Sequence, residues 1–186
     1  MALLAPRSRR LIACLLAAAV LSGLAAGRAD AQSASVIDVK AAFLYNFAKF
    51  TEWPLDALPV GGRLELCVMG DVPIADALER TIKGRTIEGH ELAVRVVDGS
   101  ETAPCHLLYV NGADSVRLAH QIERLRGKSV LTVSDGARFA QGGGIVQLRL
   151  ENERMLFTIN VTAADRARLR LSSKLLGLAR IVRDGP

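Results

Sequence analysis

The sequence predicts an α/β fold: a three-layer sandwich whose mixed, largely parallel sheet carries helices on both faces and ends in a C-terminal antiparallel hairpin. Three observations lead there. Nearly continuous apolar runs at Leu64–Gly70, Cys105–Val110 and Val130–Val133 have the character of parallel strands covered on both sides. Segments of helical period alternate with those runs, which is how parallel strands are connected. Val146, Leu148 and Leu150, then Met155, Phe157, Ile159 and Val161, alternate with other residues on either side of the polar turn Glu151–Arg154, the mark of a hairpin.

The chain opens on a leader. Arg7, Arg9 and Arg10 precede an apolar stretch from Leu11 to Ala26, and Ala29-Asp30-Ala31 supplies a small-residue cleavage site. These are the three regions of a secretory signal in order. Residues 1–31 are read as the signal peptide and residues 32–186 as one exported domain. An uncleaved anchor is the alternative, although the apolar stretch is shorter than the roughly 20 residues that span a bilayer. Of the 24 basic and 19 acidic residues, four arginines and Asp30 fall in the leader. The remainder is nearly balanced, with no clustered basic footprint for nucleic acid.

Each element follows from local chemistry. Val36, Val39, Phe43, Phe47 and Phe50 recur at spacings of three and four, one apolar stripe of a first helix. Ser35 with Asp38 resembles a capping box, and Trp53-Pro54 stops the helix. Pro54, Pro59, Gly61 and Gly62 mark a loop before the first buried strand. Asp71 caps a second helix with Pro73 in its first turn and Ile74, Leu78 and Ile82 inward. Leu92, Val94 and Val96 alternate as a half-exposed strand. Asn111-Gly112 ends the next strand. Asp114 caps a helix carrying Leu118, Ile122 and Leu125, and Gly127 stops it. A short helical turn is expected around Phe139, before Gly142-Gly143-Gly144. A final helix is expected from Ser172, with Leu175, Leu178, Ala179 and Val182 on one stripe.

Catalytic chemistry finds no foothold. The sequence has no H-E-x-x-H and no C-x-x-C, so no metal site is expected. His90, His106 and His120 fall on three separate elements and read as polar surface. Ser134-Asp135 lacks the nucleophile elbow of a hydrolase and reads as a turn or cap. The glycine run enters a strand where a phosphate loop would leave one, so it reads as a flexible turn. No catalytic residue, metal or cofactor is assigned.

Two features point toward binding. Tyr45 is placed opposite the phenylalanine stripe beside Asp38 and Lys49, an aromatic on a polar face suited to a partner. Arg166, Arg168 and Arg170 alternate with Ala167, Leu169 and Leu171. If extended, they form an arginine face for carboxylates or a phosphate, with a solvated face as the default. Past the leader two cysteines remain, Cys67 and Cys105. In an oxidising compartment an even pair favours a disulfide, closing a loop worth roughly 4 kcal/mol by chain entropy. Two buried thiols are the alternative.

Several blocks carry a family likeness. VKAAFLYNFAKFTEWP at Val39–Pro54, LCVMG at Leu66–Gly70, PCHLLYV at Pro104–Val110 and VLTVSDGARFAQGGGIVQL at Val130–Leu148 resemble successive segments of the YfiR family. FTINVTAA at Phe157–Ala164 and LSSKLLGLARIV at Leu171–Val182 continue the series. The resemblance implies a periplasmic, non-catalytic α/β protein that binds the periplasmic part of an inner-membrane diguanylate cyclase and holds it inactive. Lower cyclic di-GMP would then favour motility over biofilm. It also implies a Cys67–Cys105 disulfide that links stability to envelope redox state. Some relatives hold a second cysteine pair, which this mature chain cannot form. Other associations to weigh are a homodimer and a small-molecule ligand. The competing function is a periplasmic small-molecule sensor with a cleft at the carboxyl ends of the strands.

Overall fold

The computed structural model describes residues 36–99, 104–112 and 115–184. The expected leader, its cleavage point, and the caps Ser35 and Asp114 lie outside the described residues. The chain divides into a unit of residues 1–37 and a unit of residues 38–186, and the fold is that of the second. Its elements are α1 (residues 36–49), β1 (Thr51–Glu52), β2 (Leu64–Met69), α2 (Val72–Ile82), β3 (Thr86–Ile87), β4 (His90–Val97) and β5 (Leu107–Val110). There follow α3 (Ser115–Leu125), β6 (Leu131–Ser134), β7 (Val146–Glu151), β8 (Arg154–Asn160), α4 (Val161–Arg166), β9 (Arg170–Leu171), α5 (Ser173–Leu178) and β10 (Arg180–Val182).

Eight strands form one sheet in the order β10-β8-β7-β6-β5-β2-β4-β3, and β1 pairs with β9 in a separate two-stranded ribbon. From β4 through β7 the pairings are parallel; β7 and β8 form the expected antiparallel hairpin. Register partners share a face, so Leu66, Leu107 and Leu131 point one way while Cys67 and Leu108 point the other. On the first face lies α1, whose Phe43 and Phe47 rings meet Phe157 of β8 at centroid distances of 5.9 and 5.2 Å. Beside it runs α2, tied to α1 by Arg80 and Asp38 at 2.9 Å. On the second face, Leu118, Ile122 and Leu125 of α3 pack with Cys67, Met69, Leu108, Val110 and Phe139. Helices on both faces make the three layers.

The second helix starts as its sequence dictates. The Asp71 carboxylate accepts from the Ile74 N–H at 3.2 Å, and Ile74, Leu78 and Ile82 are buried. The first helix departs from its apolar stripe. Ala41, Leu44, Phe47 and Ala48 are its buried residues beside Tyr45, while Phe43 and Phe50 are half-buried and Val39 is exposed. Small side chains at 41 and 48 let the helix approach closely, and Arg85 lies over Tyr45 on a flank that periodicity alone assigned to solvent.

The last helix is also shorter than its periodicity. Ser172 caps α5, but the helix ends at Leu178, Ala179 is extended, and Arg180–Val182 pair in parallel with Thr158–Asn160. The outer edge of β8 offers unpaired backbone groups that a strand satisfies, and Ile181-Val182 suit an extended backbone. Around Phe139 the chain makes successive turns with no helix. A Cβ on Gly144 would stand 2.2 Å from the Phe139 ring. The last glycine of the run is therefore a packing requirement, and the expectation of a merely flexible turn is corrected there.

Candidate functional site

The sulfur bridge lies at the centre of the sheet. Cys67 of β2 and Cys105, two residues before β5, are joined with their Cα atoms 5.8 Å apart. Cys67 is fully buried under α3, whereas Cys105 is partly exposed and helps line a cavity of about 170 Å³ with Pro104, Arg124 and Lys128. The bridge therefore ties the central strand to its neighbour and can be approached from the Cys105 side.

Beside it, His106 is buried at 6% exposure, correcting its reading as polar surface. Its Nδ1 accepts from the Glu65 N–H at 2.9 Å, and its Nε2 lies 3.1 Å from the Ala57 carbonyl, to which it donates. The Trp53 indole donates to the His106 carbonyl at 3.1 Å. Burial pushes the imidazole below its ordinary pKa, more than the Ala57 hydrogen bond raises it. With one ring nitrogen accepting and the other donating, this is a neutral histidine holding the loop after β1 onto the sheet.

The carboxyl ends of the parallel strands gather a second polar group. Lys40 of α1 donates to Asp135 at 2.5 Å, and Asp135 also accepts from the Gly112 N–H at 2.8 Å. Burial pushes the Asp135 carboxyl up, but Lys40 and the Gly112 donor together hold it below the usual carboxylate value. The Tyr109 hydroxyl is buried without a hydrogen-bond partner among the described residues; burial and the charges of Asp135 and Asp71 raise its pKa far above the phenol range. Asn111 donates to Asp71 at 2.9 Å. A Cβ on Gly112 would meet the Gly136 backbone nitrogen at 2.1 Å, so the turns after β5 and β6 touch. Ser134 is fully buried and accepts from the Gly136 N–H at 3.0 Å. The position where a ligand would bind in an open α/β sheet is occupied by the protein's own ion pair.

The residues singled out for binding are not brought together. Tyr45 is not an exposed aromatic: it is 9% exposed, with the Arg85 guanidinium 5.0 Å from its ring centroid. Arg85, from the turn after α2, covers what helical periodicity placed in solvent. The three arginines do not share an extended face either. Arg166 ends α4 and pairs with Asp184; Arg168 has φ 57° and donates to Asp56 at 2.8 Å; Arg170 lies in β9. The helix begins because Asn160 caps it, its side chain accepting from the Ala163 N–H at 3.0 Å. That Asn-x-x-Ala start inside an alternating run is the signal the sequence reading passed over. Among the described residues, no group of three or more His, Cys, Asp or Glu could hold a metal, and no helix is long and apolar enough to cross a membrane.

What sequence reasoning missed is a groove. Phe43, Asn46, Phe47 and Phe50 of α1 and its following turn, Phe157 of β8, and Lys174, Leu175 and Leu178 of α5 enclose about 540 Å³ open to solvent. The half-buried Phe43 and Phe50, flanking the buried face of α1, form one wall, and the premature end of α5 leaves Leu178 at 77% exposure on the other.

No curated protein matches the chain. The sequence model of the YfiR/HmsC-like family matches residues 37–180, from the second residue of α1 to the first of β10. That span includes the bridge, the Lys40–Asp135 pair and the groove, and the chain belongs to the YfiR/HmsC-like family.

Proposed function

We propose that the chain is exported through a cleaved leader and works in the periplasm as a non-enzymatic regulator. It binds the periplasmic domain of an inner-membrane diguanylate cyclase, favours the inactive conformation and lowers cyclic di-GMP. The observation that carries the reading is family membership over residues 37–180, because this family is one of periplasmic regulators of such cyclases. The fold agrees with a binding role: an apolar groove between α1 and α5 is open to solvent.

A binding regulator shifts its target only by its differential affinity for the two states. Its abundance therefore sets the output, and the Cys67–Cys105 bridge makes that abundance depend on envelope redox state. Reduction destabilises the fold, releases the cyclase and raises cyclic di-GMP. The test is affinity capture of the tagged chain from envelope extracts, with cyclic di-GMP measured in a deletion strain. Recovery of a membrane cyclase and a rise in cyclic di-GMP are expected. Unchanged cyclic di-GMP on deletion would remove the proposal. The small-molecule sensor reading rested on the arginine segment and the glycine run. The arginines are dispersed and Gly144 packs on Phe139, so neither of those features supports it.

A further inference from the structure

We infer that the groove between α1 and α5 is the docking surface for an acidic amphipathic segment of the partner. The inference rests on the partner-binding reading above and names where, and by what chemistry, the partner is held. The floor is apolar: Phe157 meets Phe43 and Phe47 edge to face at 5.9 and 5.2 Å, the Phe43 and Phe47 rings are tilted at 5.8 Å, and Leu175 lines the same space. Around this floor lie large apolar side chains left in water, Leu178 at 77% and Val39 at 39%. The apolar face continues along the sheet. Leu150 and Met155 share the face of Phe157 by register, as does Ile181 through Ile159, and Leu150 and Ile181 are exposed as well. Exposed apolar side chains beside an apolar groove suit a contact surface.

Charge selects the occupant. Lys174 lines the groove, and the Lys49 ammonium stands 5.9 Å from the ring centroid of Phe50, another lining residue. No carboxylate lines the groove, and among the described residues neither lysine has an ion-pair partner. Two cations flanking an apolar trough suit a helical segment with apolar side chains three and four residues apart and carboxylates along its borders. A small polar metabolite fits poorly, because Asn46 and Lys174 are the lining's two polar side chains.

The test uses the purified exported chain with its disulfide intact and two fluorescent helical peptides. Both carry leucines at three- and four-residue spacing; one is bordered by Glu, its twin by Lys. The acidic peptide should bind about tenfold tighter than the twin. Leu178→Glu, a change at an exposed position, should abolish binding with thermal unfolding unaltered. The pair Lys49→Glu/Lys174→Glu should reverse the preference, and Val60→Glu, at another exposed site, should do nothing. Equal binding of the twins, indifference to Leu178→Glu, or a dimer of this chain that Leu178→Glu dissociates would each overturn the inference, the last in favour of a second copy as occupant. A parallel measurement separates the two proposals. If the native chain lowers cyclic di-GMP in cells and Leu178→Glu does so equally well, the groove assignment fails and the regulatory reading stands. If the native chain has no effect on cyclic di-GMP, the cyclase reading fails, and the peptide measurements still decide the groove.

Discussion

Lys40 Nζ stands 2.5 Å from Asp135 Oδ2, joining residues 95 apart in sequence and fixing α1 to the carboxyl end of β6. Both side chains are mostly shielded, at 18% and 25% exposure, so loss of the lysine leaves a poorly solvated carboxylate. Lys40→Met should cost about 2 kcal/mol at neutral pH. The pH dependence has a definite sign. The folded Asp135 carboxyl is held below its ordinary value of 3.8, so its contribution is complete above that value and fades as pH falls through the folded pKa. Urea unfolding at pH 7 and pH 3 should show the gap between native and Lys40→Met narrowing at the lower pH. An equal gap at both would assign the loss to packing.

His106 should give a separate, milder transition. Its folded pKa lies below 6.5 because burial disfavours the imidazolium. The unfolded chain therefore takes up the proton first, and stability declines as pH falls below about 6.5 toward the folded value. The slope cannot exceed about 1.4 kcal/mol per pH unit, the limit for one proton. His106→Gln should lower stability at pH 7.5 and remove that slope. A variant with the same profile as the native chain would show that another group titrates.

Cys67→Ser/Cys105→Ser should reduce stability by about 2–4 kcal/mol, read as a lower Tm that reductant does not lower further. In the native chain, reductant should bring Tm down to the variant's value. Cys67 is fully buried and Cys105 is not, so an attacking thiolate should form its mixed disulfide with Cys105, which peptide mapping of a trapped adduct would reveal.

Gly144→Ala and Gly177→Ala should move stability in opposite directions. The first puts a methyl 2.2 Å from the Phe139 ring and should cost about 1–3 kcal/mol through overpacking. The second meets nothing within 4 Å inside α5 and should add up to about 1 kcal/mol through helix propensity. Thermal unfolding of the two variants side by side checks both signs.

Local pattern by itself determined the layered α/β class, the hairpin, the Asp71 cap, the start of the last helix near Ser172, and strands β2, β5 and β6, because alternation, continuous apolar runs and cap residues act within a few positions. The bridge between Cys67 and Cys105 was favoured by cysteine number and implied by family resemblance, and β2 beside β5 supplies the separation that a disulfide needs. Only the tertiary structure decided which side of α1 is buried. Periodicity names an apolar stripe but not what lies on its flank, and Arg85 lies over the buried Tyr45 ring while Val39 stays in water. Tertiary pairing also ended α5 at Leu178, since the free edge of β8 attracts Arg180–Val182 more strongly than a helical stripe holds them. The same competition dispersed the arginines between a capped helix, a positive-φ residue and a two-residue strand. The groove follows from both departures, and for that reason no local pattern announced it.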